Sequence, residues 1–513
     1  MADLVAGVDS STQSCKVELR RIEDGALLAV GTAPHRPAFP PVSEQDPADW
    51  WAALRTALDR ARAALPGTAD RIRAVSVAAQ CHGLVPLDAD GRVLRPAKLW
   101  NDTTSAPQVE RLRHELGEQR WIRAVGSLPT AAFTVGKLAR LAEHEPAVLD
   151  RLARILLPHD WLTWRLTGRA VTDRSDASGT GYYDAAAGRY LTDVLDVVAG
   201  ARDWAATLPT VLGPDEPAGP VLPAVADELG LDRDVLVGAG GGDQHASALG
   251  LAVRPGDLVY VIGTSGVVFT TAREPVYDPA GIVDGVADMT GGHLPLVSTL
   301  NAARVTDRMA ALLGVDHAGM EELALRAPAG TVGPVLAAFL DGERKPDRPG
   351  ATGLLGGLTS ATSREELARS AYEGVLLGLY EGAARMAAAG VPTGGRVLAT
   401  GGGARSAAYT AILADLTGTP VRTLDADEAT ARGACVQAAA VATAAPVTAV
   451  RDAWAPAVRA TTEPRPAHRD RVGELVERYR ELAGWTGLDR AVTAAETPAP
   501  AAVASPVAAE AAR

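Results

Sequence analysis

The stretch Leu4-Val-Ala-Gly-Val-Asp9-Ser-Ser-Thr-Gln-Ser14-Cys-Lys-Val-Glu-Leu19 decides the fold. Leu4 to Val8 is an apolar run that ends on Asp9. Ser10 to Ser14 is a polar turn, and Cys15 to Leu19 reads as a strand coming back. Glu23-Asp-Gly25 makes a second turn before the apolar run Ala26 to Val30. Short apolar runs separated by small polar turns are the pattern of an antiparallel meander. The opening unit returns past the middle as Leu258 to Ile262, Gly263-Thr-Ser-Gly266 and Val267 to Thr271. The same strand, turn and strand in each half point to two similar domains.

Helices and strands alternate between and after these hairpins. Asp46 and Pro47 are an N-cap and a first-turn proline, and Trp51, Leu54 and Leu58 then share one helix face. Ile72 to Val77 reads as a strand running out into Gln80-Cys-His-Gly83. Ser363 and Glu366 form a capping box, and the helix they open carries Leu367, Ala371, Val375 and Leu379 on one side. Gly374, Gly378 and Gly382 recur at four-residue spacing among charged residues, a pattern for close packing in a core. Gly390 ends that helix. Arg396 to Thr400 is the next strand, followed by Gly401-Gly-Gly403, a helix from about Ser406 to Thr417, and the strand Val421 to Leu424. A last helix covers about Asp470 to Trp485, and residues 491–513 read as a disordered tail.

Composition narrows the function. A formal net charge of -12 weighs against binding to a nucleic-acid backbone. Cys15, Cys81 and Cys435 stand far apart, with neither a disulfide framework nor zinc-ligand spacing. The N-terminus lacks the pattern of a signal peptide, and the most apolar long segment, Ala434 to Val450, is broken by Gln437 and Pro446. The expectation is a cytoplasmic protein without a membrane partner.

The chemistry falls on loops at strand ends, where open sheets place their ligands. There is no P-loop pattern. Asp9 with Thr12, Gln13 and Lys16 offers a carboxylate for a Mg2+ ion and a turn that can cradle phosphate oxygens; an ordinary polar turn has the same composition. Gly263-Thr264-Ser265 repeats that reading. Gly401 to Ala404 opens backbone space at a helix start, which favours an anion. Asp243 behind Gly240-Gly-Gly242 is a carboxylate with space around it, suited to a general base or to capping the next helix. Gln80-Cys81-His82 and Trp100-Asn-Asp102 hold groups that can bond sugar hydroxyls or lie against a sugar's apolar face, and each is equally at home in a core.

Taken in order, these blocks resemble the FGGY carbohydrate kinases, closest to the family's xylulokinase branch. The resemblance runs from Val5 to Trp485. It also includes Ser43-Glu-Gln-Asp-Pro47 with Trp50-Trp51, Leu157-Pro-x-Asp160, Ser175-Asp-Ala-Ser-Gly-Thr180 and Gly342-Glu-Arg344. It implies an α/β fold of two actin-like (ribonuclease H-like, hexokinase-type) domains around a central cleft. The sugar-binding domain would span residues 1–245 and the ATP-binding domain 246–490. It implies ATP and Mg2+ as cofactors and a small sugar, D-xylulose first, as substrate. Asp243 would be the general base and Asp9 the magnesium-side carboxylate. Cys81, His82, Trp100, Asp102 and Gln244 would face the sugar. Thr12, Gln13, Lys16, Gly263, Thr264 and Ser265 would face the phosphates, and Gly402, Gly403 and Ala404 the adenosine. A homodimer is compatible with the family.

Four positions depart from the family pattern: Ser11 for Gly, Cys81 for Met, Thr104 for Arg and Gln244 for Asn. They bear on the sugar, not on the carboxylates. Other outcomes are a kinase for another ketopentose, a pentitol or glycerol, a sugar-binding regulator without turnover, and an actin- or chaperone-type ATPase.

Overall fold

A computed structural model describes residues 3–67, 71–328, 332–485, 487 and 489; the tail expected at 491–513 lies outside them. The opening hairpin is Leu4–Ser10 paired antiparallel with Ser14–Arg21, and Leu27–Pro34 adds the third strand of the meander. On the other side of Leu4–Ser10 lies Ile72–Ala79 in parallel, then Leu236–Gly238 in parallel, then Pro217–Pro220 antiparallel at the edge.

The second half repeats this plan. Leu258–Ile262 pairs antiparallel with Gly266–Phe269, which pairs antiparallel with His293–Thr299. Val397–Thr400 flanks Leu258–Ile262 in parallel, Val421–Leu424 follows in parallel, and Val458–Thr462 closes the edge antiparallel. The repeat seen in one hairpin thus extends across the sheet. It differs in three ways: the second sheet adds Asp284–Ala287 beyond its meander, the first reaches its outer pair in reversed chain order, and the first adds the short strand Gly241–Gly242 beside the end of Ile72–Ala79.

Helices cover the sheets because their apolar faces match. Pro47–Ala64 starts with Asp46 accepting from the Ala48 N–H at 2.9 Å and buries Trp51, Leu54 and Leu58. Arg364–Ala388 starts with the Ser363/Glu366 capping box. Its small residues let neighbours approach: a Cβ at Gly374 would stand 2.5 Å from the Leu336 carbonyl oxygen. Among the described residues no helix is long and apolar enough to cross a membrane.

One packing was not predicted. The alanine-rich stretch after Ala429 forms the helix Ala429–Thr443, which belongs in sequence to the second half but packs on the first sheet. Its Cys435 sits against Gly7, where a Cβ would lie 2.5 Å from the sulfur. It also crosses the helix Asp243–Gly250 closely, since a Cβ on Gly433 would stand 1.8 Å from the Ala246 oxygen and one on Gly250 2.0 Å from the Ala429 oxygen. The boundary expected between 245 and 246 falls inside that crossing.

Candidate active site

Asp9 is the penultimate residue of the first strand and sits opposite Lys16 on the returning one, so both side chains occupy the same face. Lys16 makes an ion pair with Glu428 of the second half. Asp9 Oδ1 is buried and has no hydrogen-bond partner. Burial, then the charge of Asp243, pushes the Asp9 carboxyl up to about 8. A buried carboxylate oxygen without a donor is a place for a cation or its water shell, which fits a magnesium-side role.

The turn after Asp9 is held from several directions. Ser11 Oγ donates to the Ser14 oxygen at 3.2 Å. Gln45 Nε2 donates to the oxygens of Thr12 at 3.0 Å and Arg36 at 2.8 Å, while Gln45 Oε1 accepts from Trp50 Nε1 and Gln80 Nε2. Trp100 Nε1 donates to Thr12 Oγ1 at 2.9 Å. Sequence blocks scattered over residues 9–100 therefore form one bracket around the turn. Ser11 is not among the non-glycine residues with positive φ, so serine fits there without strain.

Asp243 begins its helix, with Gly242 as N-cap. Its Oδ1 accepts from the Gln244 N–H at 2.7 Å and the Cys81 thiol at 3.3 Å. Burial raises its carboxyl above the ordinary range, while these two donors pull the other way. The glycines before it are needed for space: a Cβ at Gly242 would lie 2.4 Å from Cys81 Sγ, and one at Gly240 would lie 2.7 Å from the Val77 oxygen. Gly240 is fixed by Gln437, whose Oε1 accepts from its N–H at 2.9 Å and whose Nε2 donates to its oxygen at 3.2 Å. Thr430 Oγ1 donates to the Asp243 carbonyl at 3.3 Å.

His82 has φ 62°, an uncommon conformation for a side chain of its size. Its N–H donates to Asp176 Oδ1 at 3.1 Å, and its ring Nδ1 lies 3.0 Å from the same oxygen. Phe133 stacks on the ring with centroids 5.5 Å apart. A Cβ on Gly179 would stand 1.8 Å from the ring, so only glycine serves there. Lys137 holds the carbonyls of Ala131, Ala132 and Phe133, which fixes the Phe133 turn. Burial pushes His82 down to about 3, so it acts as a neutral imidazole. Burial, then Asp243, pushes Asp176 up to about 8.

Asp102 is fully buried and committed to the protein. Its Oδ2 accepts from the Ser43 N–H and Lys98 Nζ, and its Oδ1 from the N–H and Oγ1 of Thr104. It shapes the turn that presents Trp100. The Arg344 guanidinium of the second half lies 5.5 Å from the Trp100 ring centroid, bringing the two halves together there.

The second-half loops meet each other. A Cβ on Gly401 would lie 2.7 Å from the Ile262 oxygen, and one on Gly403 2.3 Å from Ile262 Cγ2. The glycine turn therefore lies against the end of the strand leading into Gly263. Thr264 and Gly402 are exposed, and no heavy atom lies within 4 Å of a Cβ placed on Gly402. Gly402–Arg405 forms a short 3-10 turn, and Ser406 caps the helix Ala407–Thr417.

The structure thus draws Asp9, Cys81, His82, Asp243 and Gln244 to one corner, Thr12 and Trp100 to its edge, and the two glycine loops to the facing half. Sequence reasoning assigned no role to Asp176, Phe133, Arg344, Glu428 or Gln437. Asp176 and Arg344 stood in quoted blocks, and Gln437 stood out as a polar residue inside an apolar stretch; Phe133 and Glu428 carry no local signal.

The fold and site define a sugar kinase of the actin-like ATPase fold, and the chain belongs to the FGGY family of carbohydrate kinases. The family's N-terminal domain matches residues 4–250 and its C-terminal domain residues 258–442. Among similar proteins, the xylulose kinase of Streptomyces coelicolor is 42% identical over 454 residues, covering 88% of this chain and 90% of the relative. The xylulose kinase of Haemophilus influenzae is 30% identical, covering 84% and 89%. The crystal structure of xylulose kinase from Bifidobacterium adolescentis superposes with a TM-score of 0.82 at 38% identity, covering 92% of this chain and 99% of that one.

Proposed function

We propose that the protein transfers the γ-phosphoryl group of ATP to the terminal primary hydroxyl of D-xylulose, giving D-xylulose 5-phosphate and ADP. The carrying observation is the pair of buried carboxylates: Asp9 with an unpartnered oxygen, and Asp243 held by the Cys81 thiol and the Gln244 N–H. The names of the relatives supply the sugar.

In this reading Asp243 takes the hydroxyl proton as the sugar oxygen bonds to phosphorus and the bond to the ADP oxygen breaks. Its raised affinity for a proton suits a base working near neutral pH. Asp9 is the residue to hold the Mg2+ that arrives with ATP, whose charge offsets that of the phosphates. Thr12, Gln13 and Lys16 with the Gly263 loop border the phosphates, and Gly402 to Ala404 border the adenosine. His82 offers a neutral imidazole to a sugar hydroxyl, Trp100 a flat apolar face, and Asp102 acts by holding Trp100's turn. Closure of the halves around the sugar excludes water, which limits ATP hydrolysis.

The test is a coupled ADP-release assay with MgATP on D-xylulose, D-ribulose, L-ribulose, glycerol and pentitols. Preference for D-xylulose is expected. Preference for another polyol would keep the base and move the substrate, with Cys81, Thr104 and Gln244 as the positions to exchange. Absence of turnover on every sugar would replace the kinase reading with that of a sugar-binding regulator.

A further inference from the structure

We propose that Cys81, His82 and Asp176 form a binding site for a soft divalent cation, of the Zn2+ or Cd2+ class, which competes with the sugar for the same corner. Among the described residues these three form the one group of at least three metal-ligating types whose donor atoms all lie within 4.8 Å of one another. Two further donors border it: Asp243 Oδ1 is 3.3 Å and His245 Nδ1 3.8 Å from Cys81 Sγ. Around a tetrahedral zinc with bonds of about 2.0–2.3 Å, neighbouring donors stand roughly 3.3–3.8 Å apart. Within the triad the 3.0 Å between His82 Nδ1 and Asp176 Oδ1 lies just below that range, and Cys81 Sγ stands within 4.8 Å of a ring nitrogen of His82 and a carboxylate oxygen of Asp176; its 3.3 and 3.8 Å distances are to the bordering donors Asp243 and His245.

Asp176 Oδ1 accepts from the His82 N–H, but other atoms of these side chains are short of partners. His82 Nδ1, Asp176 Oδ2 and His245 Nε2 are buried without a hydrogen bond. Asp9, Asp176 and Asp243 gather in one region, and Lys137, the lysine that acts on Asp176, has its ammonium held by three carbonyls. A cation there would take the place of the protons that the Asp9 and Asp176 carboxyls hold near neutral pH. The thiol decides which cation: Mg2+ takes oxygen donors and keeps its water, whereas sulfur and imidazole select softer ions. On binding, the Cys81 S–H bond breaks, its proton leaves to solvent, and a sulfur–metal bond forms without redox change. A methionine at this position would have no proton to lose and could not supply a thiolate.

The competition part rests on the reading of this corner as the sugar pocket. Turnover of D-xylulose before metal is added tests that reading separately, and whichever sugar is turned over serves as the competitor. The full chain is titrated with Cd2+ while the thiolate-to-metal absorbance in the ultraviolet is followed. One equivalent is expected to give the band, with saturating sugar weakening binding at least tenfold. Asp176→Asn should weaken it about tenfold or more, and Cys81→Met should abolish the band with melting behaviour retained. A missing band, a band that persists in Cys81→Met, unchanged affinity in Asp176→Asn, or indifference to the sugar would each overturn the proposal. Should Cys81→Met fail to fold, Zn2+ protection of Cys81 from alkylation in the unaltered chain, mapped by peptide mass, decides instead: protection supports the site and its absence refutes it.

Discussion

The turn after Asp9 and the turn after Ile262 occupy the same place in two sheets of the same plan, yet they are furnished differently. The first carries a buried carboxylate and is bracketed by Gln45, Trp100 and Ser11. The second carries only glycine and hydroxyl side chains, with Thr264 exposed and the Gly401 turn against it. Both carboxylates central to the proposed chemistry, Asp9 and Asp243, come from the first half or its boundary. In the proposed reading the duplicated scaffold divides the work: the first half and its boundary supply the two carboxylates, and the second supplies open backbone for the nucleotide together with Glu428 and Arg344, which reach across to Lys16 and Trp100.

That separation can be broken by mutation. Asp243→Asn keeps size and removes the base, and kcat should fall about 10²–10⁴-fold with ATP binding retained; normal turnover would remove Asp243 from the mechanism. Asp9→Asn should lower kcat by roughly 10²-fold, because charge neutralisation at the phosphates is a main source of rate. Steady-state kinetics at saturating Mg2+ measures it. Gly403→Val places a side chain against Ile262 Cγ2 and should raise the KM for ATP about tenfold, equivalent to about 1.4 kcal/mol, leaving the sugar KM near its starting value. His82→Ala should do the reverse, raising the sugar KM by a similar factor of about ten through one lost hydrogen bond. Equal effects on both substrates in either variant would dissolve the division between the halves.

The smallest effect sharpens it. Asp243 must be ionised to act, and its proton affinity lies above the ordinary carboxylate range, so kcat/KM should fall as pH drops through that raised value. The Cys81 thiol favours the charged form. Cys81→Ala therefore raises the carboxyl further and moves the acidic limb of the pH profile upward, while Cys81→Ser restores a donor and moves it back. An unmoved limb would show that the thiol does not act on the base.

Local pattern carried much of this protein. The meander, the Asp46 cap, the capping box at Ser363 and the strand Val421–Leu424 all follow from spacing and turn residues, and all are formed. The glycines at 374 and 382 were readable as packing positions, and they are close against Leu336 and Val297. What spacing could not give is which distant segments meet. Cys81 and Asp243 stand 162 residues apart, and Gly240 and Gln437 stand 197 apart. Periodicity reports the face a residue shows, not what covers that face. Asp102 illustrates the other limit: a buried acid beside a tryptophan reads as a sugar ligand, whereas its bonds to Thr104 are those of a local Asx turn, Lys98 stands four residues back, and only the bond from the Ser43 N–H comes from a distant segment.

The helix Ala429–Thr443 has a consequence for how the chain is made. Val5, Ala74 and Ala78 of the first sheet are covered by Ala434, Cys435 and their neighbours. On the ribosome these early residues emerge long before their cover is translated. The first domain therefore spends most of synthesis with one apolar face bare, the condition in which nascent chains meet chaperones or one another.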